Sequence, residues 1–111
     1  MSAEDVAAAY KRPRQSSLWD AVNNFELKEI NSGVQYDRVL AELDDHDVNE
    51  EDEDSQSLLI SCCNQRMAFF NIEVCKLLVM RDADISATFE NKTAVQWLYH
   101  RGNVDGMKMF E

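Results

Sequence analysis

"DADISATFENKTAVQW", residues 82–97, carries the reading of the fold. An apolar stretch ends just before it, a polar turn rich in Asp, Ser, Glu and Asn occupies its middle, and a new apolar stretch starts at Ala94. Turn residues of this kind cap or break helices because their side chains compete for nearby backbone groups. The passage therefore reads as the end of one helical unit and the start of another.

Comparison of the chain with itself extends that reading. Ser57 falls over Thr93, Leu59 over Val95 and Cys62 over Leu98 at one shift; Ser16 falls over Ser57, Leu18 over Leu59 and Ala21 over Cys62 at another. Each aligned head opens on a hydroxyl residue, the preferred N-cap type. Leu18, Ala21, Val22 and Phe25 keep the i, i+3, i+4, i+7 rhythm of a buried helix face, and Tyr36, Val39, Leu40 and Leu43 form a second stripe. "SLLISCC" and "IEVCKLLVM" read as a short helix pair, and "TAVQWLYH" with "VDGMKMF" as another. Gly33 offers a stop or a turn. Ahead of these, "SAEDVAAAYK" predicts a helix that Pro13 stops near Lys11.

The heads "SSLWDAV", "SQSLLISCC" and "TAVQWLY" and the tails "CKLLVMRDADIS" and "VLAELDDHDVN" together resemble the ankyrin repeat, a β-turn followed by two antiparallel helices over about 33 residues. Proline is missing from all three heads, Trp19, Ile60 and Gln96 replace the head histidine, and Asp82 stands where glycine is usual. The long spacings place insertions near Phe25–Gly33 and Arg66–Phe69. The resemblance implies an all-α fold, an α-solenoid of stacked helix-turn-helix units at about 16–51, 52–87 and 88–111, with polar hairpin turns. Residues 1–15 would supply an N-terminal capping helix and a basic linker.

A net charge of −10 opposes nucleic acid and anionic membranes as partners, since both would be repelled at long range. No apolar window reaches the roughly 18–20 residues of a membrane span, and the N-terminus lacks the basic-then-apolar order of a secretory signal. Cys62 and Cys63 are adjacent and the third cysteine, Cys75, is unmatched, so reduced thiols in an intracellular, cytoplasmic protein are expected. "KRPR" at Lys11–Arg14 leaves nuclear import open.

Catalytic and metal chemistry find little support. Zinc-binding cysteines are usually two to four residues apart, whereas neighbours on a helix point about 100° apart. A Cys63–His100 pair would need a third orienting group that no spacing supplies. The expectation is a packing role for Cys62 and Cys63, no enzyme activity, no metal and no cofactor. "DHDVNEEDED" resembles a calcium loop, but Glu50 and Gln56 occupy the positions that need glycine and glutamate.

The nine carboxylates from Glu42 to Asp54 are open to two readings, a solvated turn or a docking surface for a basic protein. The resemblance implies a protein-interaction module, adaptor or scaffold, that binds through turn tips and the exposed side of first helices. On this chain those places are Glu53, Asp54, Gln56, Asn64 and Gln65 in the middle unit, and the docking reading of the acidic run adds Glu50 and Glu51. In the last unit they are Phe89, Glu90, Lys92, His100 and Arg101, with a partly exposed Trp97 as anchor. Met107, Met109 and Phe110 on the last helix are expected to lack a cover, which leaves open a structural role, self-association through the C-terminal unit, or continuation into a longer array.

Overall fold

The computed structural model describes residues 16–110. Among them the chain is mainly helical: α1 (Ser17–Asn23), α2 (Leu27–Asn31), α3 (Val34–Leu43), α4 (Leu58–Cys63), a 3₁₀ turn (Met67–Phe69), α5 (Ile72–Met80), a two-stranded hairpin β1 (Thr88–Phe89) and β2 (Lys92–Thr93), α6 (Ala94–His100) and α7 (Val104–Lys108). The expected capping helix and the Lys11–Arg14 patch lie outside the described residues. No helix among the described residues is long and apolar enough to cross a membrane.

Local chemistry starts each of the short helices. Ser16, Ser57 and Thr93 sit at the N-caps of α1, α4 and α6, and their hydroxyls accept from the amides of Trp19 (3.0 Å), Ile60 (3.2 Å) and Gln96 (3.4 Å). Each bond satisfies one of the amides that a helix start leaves without a partner. Thr93 and Gln96 complete a reciprocal box, since Gln96 Oε1 accepts from the Thr93 amide at 2.8 Å. Asn71 and Asn103 cap α5 and α7 in the same way. Gly33 precedes α3 at φ 80°, a left-handed conformation that glycine adopts at little cost.

Helix α4 packs between α1 and α6, while α3 packs on both α1 and α5. Leu18, Ala21, Leu59, Cys62 and Leu98 are buried along the α1–α4–α6 series, and Val39, Leu43, Val74 and Leu78 close the core from α3 and α5. None of these helices is long enough to be stable alone in water, so the shared apolar face holds them. "IEVCKLLVM" is helical, with Val74, Cys75, Leu77 and Leu78 turned inward.

The two segments where the spacing lengthens hold extra structure. Between Phe25 and Gly33 lies α2, whose Glu29 accepts from the Glu26 amide at 2.6 Å and pairs with Arg38 of α3 at 2.9 Å. That amide contact first, and the arginine with it, hold the Glu29 carboxyl below its usual range. Between Arg66 and Phe69 lies the 3₁₀ turn, which packs against α2.

One polar linkage is buried inside. Gln35, 1% exposed, donates its amide to the carbonyls of Ala21 (3.3 Å) and Val22 (3.1 Å), which lie past the last internal bond of α1. Its Oε1 accepts from Asn71 Nδ2 at 3.0 Å, so the end of α1, the face of α3 and the start of α5 are joined.

Met107, Met109 and Phe110 are not bare, contrary to the expectation from the sequence. All three are half-buried and pack on the core, because α7 lies against α6. Tyr99 (73% exposed) and Val104 (58%) are the apolar side chains left outward there.

Candidate interaction surface

The acidic segment is an ordered turn rather than a loose strand of charge. Asp52 organises it: its Oδ1 accepts from the amides of Asp54 and Gln56, both at 2.9 Å, and its Oδ2 accepts from Gln56 Nε2 at 3.3 Å. Its own amide donates to the Gln56 carbonyl at 3.0 Å, and Ser55 takes φ 65° to close the turn. Glu51 bridges to Ser57 through the backbone.

Other acids in the run are also engaged. Ser16 Oγ donates to the Glu50 carboxylate, Ser17 Oγ to Glu42 at 2.6 Å, and Arg81 pairs with Asp44 at 3.0 Å. Glu42, Asp44, Glu50 and Asp52 therefore hold local structure. Asp45, Glu51 and Asp54 are exposed.

The second turn carries Phe89, Glu90 and Lys92. Glu90 (φ 51°) and Asn91 (φ 65°) form a two-residue hairpin loop, as the primed turns that match strand twist require. This hairpin folds over Trp97. The indole N–H donates to the Phe89 carbonyl at 3.1 Å, Phe89 lies 5.9 Å away ring to ring, and Lys92 Nζ sits 4.9 Å from the ring centre. His100 meets the indole edge-on at 5.6 Å. Trp97 is consequently 6% exposed, which corrects the expectation of a partly exposed anchor. The cover is tertiary: Phe89 and Lys92 lie on the hairpin, before the helix that carries Trp97.

A different arrangement gathers Asn64, Gln65 and Arg101. Together with Asn23, Phe25, Arg66 and Phe69 they line an open groove of about 400 Å³ at the C-terminal ends of α1, α4 and α6. Gln65 Nε2 donates to Asn23 Oδ1 at 3.2 Å, Asn23 Nδ2 donates to Ser61 Oγ at 3.1 Å, and Arg101 Nε donates to Asn64 Oδ1 at 3.0 Å. Phe25 and Phe69 meet edge to face at 6.1 Å. Residues of the acidic turn do not line this groove.

Sequence reasoning missed Asn23, Phe25, Arg66 and Phe69 as surface residues. The signal that could have found them was the extra spacing itself, because Phe25, Arg66 and Phe69 border the two lengthened connections.

Cys62, Cys63 and Cys75 are buried, with Cys63 Sγ 3.5 Å from Cys75 Sγ. Contact with Cys75, and burial, push the Cys62 thiol well above the usual cysteine range. Contact with Cys62 works downward on Cys75, but contact with Cys63 and burial outweigh it, and that thiol is raised as well. Raised thiols are poor nucleophiles, because the thiolate is the reactive form. Among the described residues no group of three or more His, Cys, Asp or Glu side chains is placed to hold a metal ion.

Comparison with known proteins finds no matching family model, no matching curated protein and no matching solved structure.

Proposed function

We propose that the chain is a divergent ankyrin-type array of about three units that works as a protein-interaction module, adaptor or scaffold, and that its acidic turn attracts a basic protein surface. The observation that carries this reading is the recurrence of one device. Ser16, Ser57 and Thr93, the positions aligned by self-comparison, are the three hydroxyl N-caps of the three helices that pack in series. Units that cannot bury an apolar face alone and stack to share a core are the basis of repeat proteins, whose extended surfaces serve binding. Asp82 adds support, since its φ of 68° is the conformation a tail glycine would adopt.

The function follows from which groups are left outward. Glu51 and Asp54 stand out from the ordered turn and Asp45 from the end of α3, so their backbones are held in place before a partner arrives. Such a field mainly speeds association and repels wrong partners. The partner is a protein, with a nucleic acid or anionic membrane disfavoured by the net charge of −10.

The test is selection of binders from a library of short random peptides, followed by kinetics on synthetic copies. Basic sequences are expected among the binders. Their association should slow by about tenfold or more in D45N/E51Q/D54N, and more salt than about 0.1 M should slow it in wild type. Melting temperature should stay level or rise, as like charges are removed. Basic binders with unchanged association rate in the variant would refute the role of the turn.

A second reading, self-association through the last unit, rests on the outward Tyr99 and Val104. A wild-type chain that sediments as a dimer, and a Tyr99→Ser/Val104→Ser variant that does not, would favour it.

A further inference from the structure

We propose that the groove between the two lengthened connections binds an acidic, extended peptide segment of a partner protein, with Arg66 and Arg101 holding its carboxylates. The inference extends the interaction reading to a second surface of opposite charge and does not depend on what the acidic turn binds.

Charge makes the first argument. The chain has 21 acidic residues against 11 lysines and arginines, yet the groove lining holds two arginines and no carboxylate. Every lysine and arginine placed at random on this surface would more often sit beside an acid, as Arg38 does with Glu29 and Arg81 with Asp44. Arg66 is exposed, and its guanidinium has no hydrogen-bond or ion-pair partner among the described residues. Arg101 spends only Nε, on Asn64, and that bond fixes the plane of the guanidinium while its Nη hydrogens remain open. A planar guanidinium held in place matches the two oxygens of a carboxylate.

The polar inventory makes the second. Asn64 Oδ1 is taken by Arg101 and Gln65 Nε2 by Asn23, which leaves the Asn64 side-chain N–H₂ and the Gln65 side-chain oxygen without a partner among the described residues. One donor and one acceptor on adjacent residues match the C=O and N–H of an extended peptide backbone. Phe25 and Phe69, in edge contact, add an apolar patch for a side chain of that segment. The volume, about 400 Å³, falls in the lower part of the range of binding clefts, about 300–1,000 Å³.

The third argument is where the groove lies. Phe25 leads into α2, Arg66 stands at the start of the 3₁₀ turn and Phe69 ends it. These are the two connections that depart from the repeating spacing, and they pack on each other. Added chain that only linked two helices would not need to meet its counterpart from another unit. A short peptide, unlike a long polyanion, meets this local positive field without carrying its remaining charge across the acidic surface.

The same random-peptide selection tests the proposal, because acidic and basic binders report on different surfaces. Sequences enriched in Asp and Glu are expected beside any basic ones. Fluorescence anisotropy with a labelled synthetic copy of an acidic binder should show about tenfold or greater loss of affinity in Arg66→Ser and again in Arg101→Ser. Arg101→Lys should restore only part, as it keeps the charge but not the fork. Melting temperatures of these variants should match wild type, which separates lost binding from lost fold. D45N/E51Q/D54N should bind the acidic peptide as well as wild type or better. The absence of acidic binders, or acidic binding that ignores both arginines, overturns the proposal and leaves the acidic-turn reading standing. Wild-type self-association that Arg66→Ser/Arg101→Ser abolishes would also overturn it, by showing that a second copy of the chain fills the groove.

Discussion

Replacing Gln35 by Ala is expected to be among the most damaging single changes available, although Gln35 is polar and sits on a short helix. The side chain donates to the Ala21 and Val22 carbonyls and accepts from Asn71, and it is 1% exposed, so these bonds are made out of reach of bulk water. Truncation strands the Asn71 amide and two carbonyls at once. One abandoned buried polar group costs about 1–3 kcal/mol, and the carbonyls, each with a second lone pair to realign, sit at the low end. The total comes to about 3–5 kcal/mol, a large part of the roughly 5–15 kcal/mol that holds a domain folded. At about 4–8 °C per kcal/mol for a domain near this size, the melting temperature should fall by about 12–40 °C. Urea unfolding of wild type, Gln35→Ala, Asn71→Ala and the double variant closes the cycle. Asn71→Ala also loses an N-cap, worth about 0.5–2 kcal/mol, which the cycle removes from the comparison. The coupling between the two residues should exceed about 1 kcal/mol. A loss below about 1 kcal/mol in Gln35→Ala, or two effects that simply add, would show that the linkage does not join α1 to α5.

Trp97→Ala should cost about 3–5 kcal/mol by urea unfolding, since it empties the space under the hairpin; a near-neutral result would mean the indole is not the hairpin's floor. Cys62, Cys63 and Cys75 should react with a thiol reagent only as fast as the protein opens, because all three are buried and the Cys62 and Cys75 thiols are raised, and prompt labelling of the native protein would contradict that burial. Cys62→Ala should lose only about 1 kcal/mol, whereas Cys62→Asp should prevent folding at neutral pH through a buried unpaired charge. Asp82→Gly should stabilise by about 0.5–1 kcal/mol, because it relieves a non-glycine residue at φ 68° and removes a negative charge after the C-terminus of α5; a destabilised variant would mean that the aspartate makes a contact of its own.

What the sequence revealed depended on how far apart the interacting groups are. Ser16, Ser57 and Thr93 could be recognised because a cap acts within three residues, so its chemistry repeats wherever the local pattern does. The inward faces of α1 and α3 were legible for the same reason, through periodicity, although Leu40 of the second stripe is exposed and Phe25 falls past the end of α1. Gln35 and Asn71 are 36 residues apart and follow no apolar rhythm; to a pattern reader both are polar residues near helix starts. Trp97 defeated the reading from the other side. The ankyrin resemblance implied an exposed slot, whereas the fold-back of the hairpin, with Glu90 and Asn91 both at positive φ, covers the indole. The groove shows the same limit most clearly. Asn64, Gln65 and Arg101 were expected on the exposed side of first helices; at the ends of α4 and α6, Asn64 and Gln65 are half-buried and Arg101 is exposed. Their meeting with Phe25, Arg66 and Phe69 needed the two lengthened connections to fold toward one another. The recurring sequence pattern marks the core and the caps of this chain. The groove forms where the spacing lengthens, and there the sequence states only the length of the interruption.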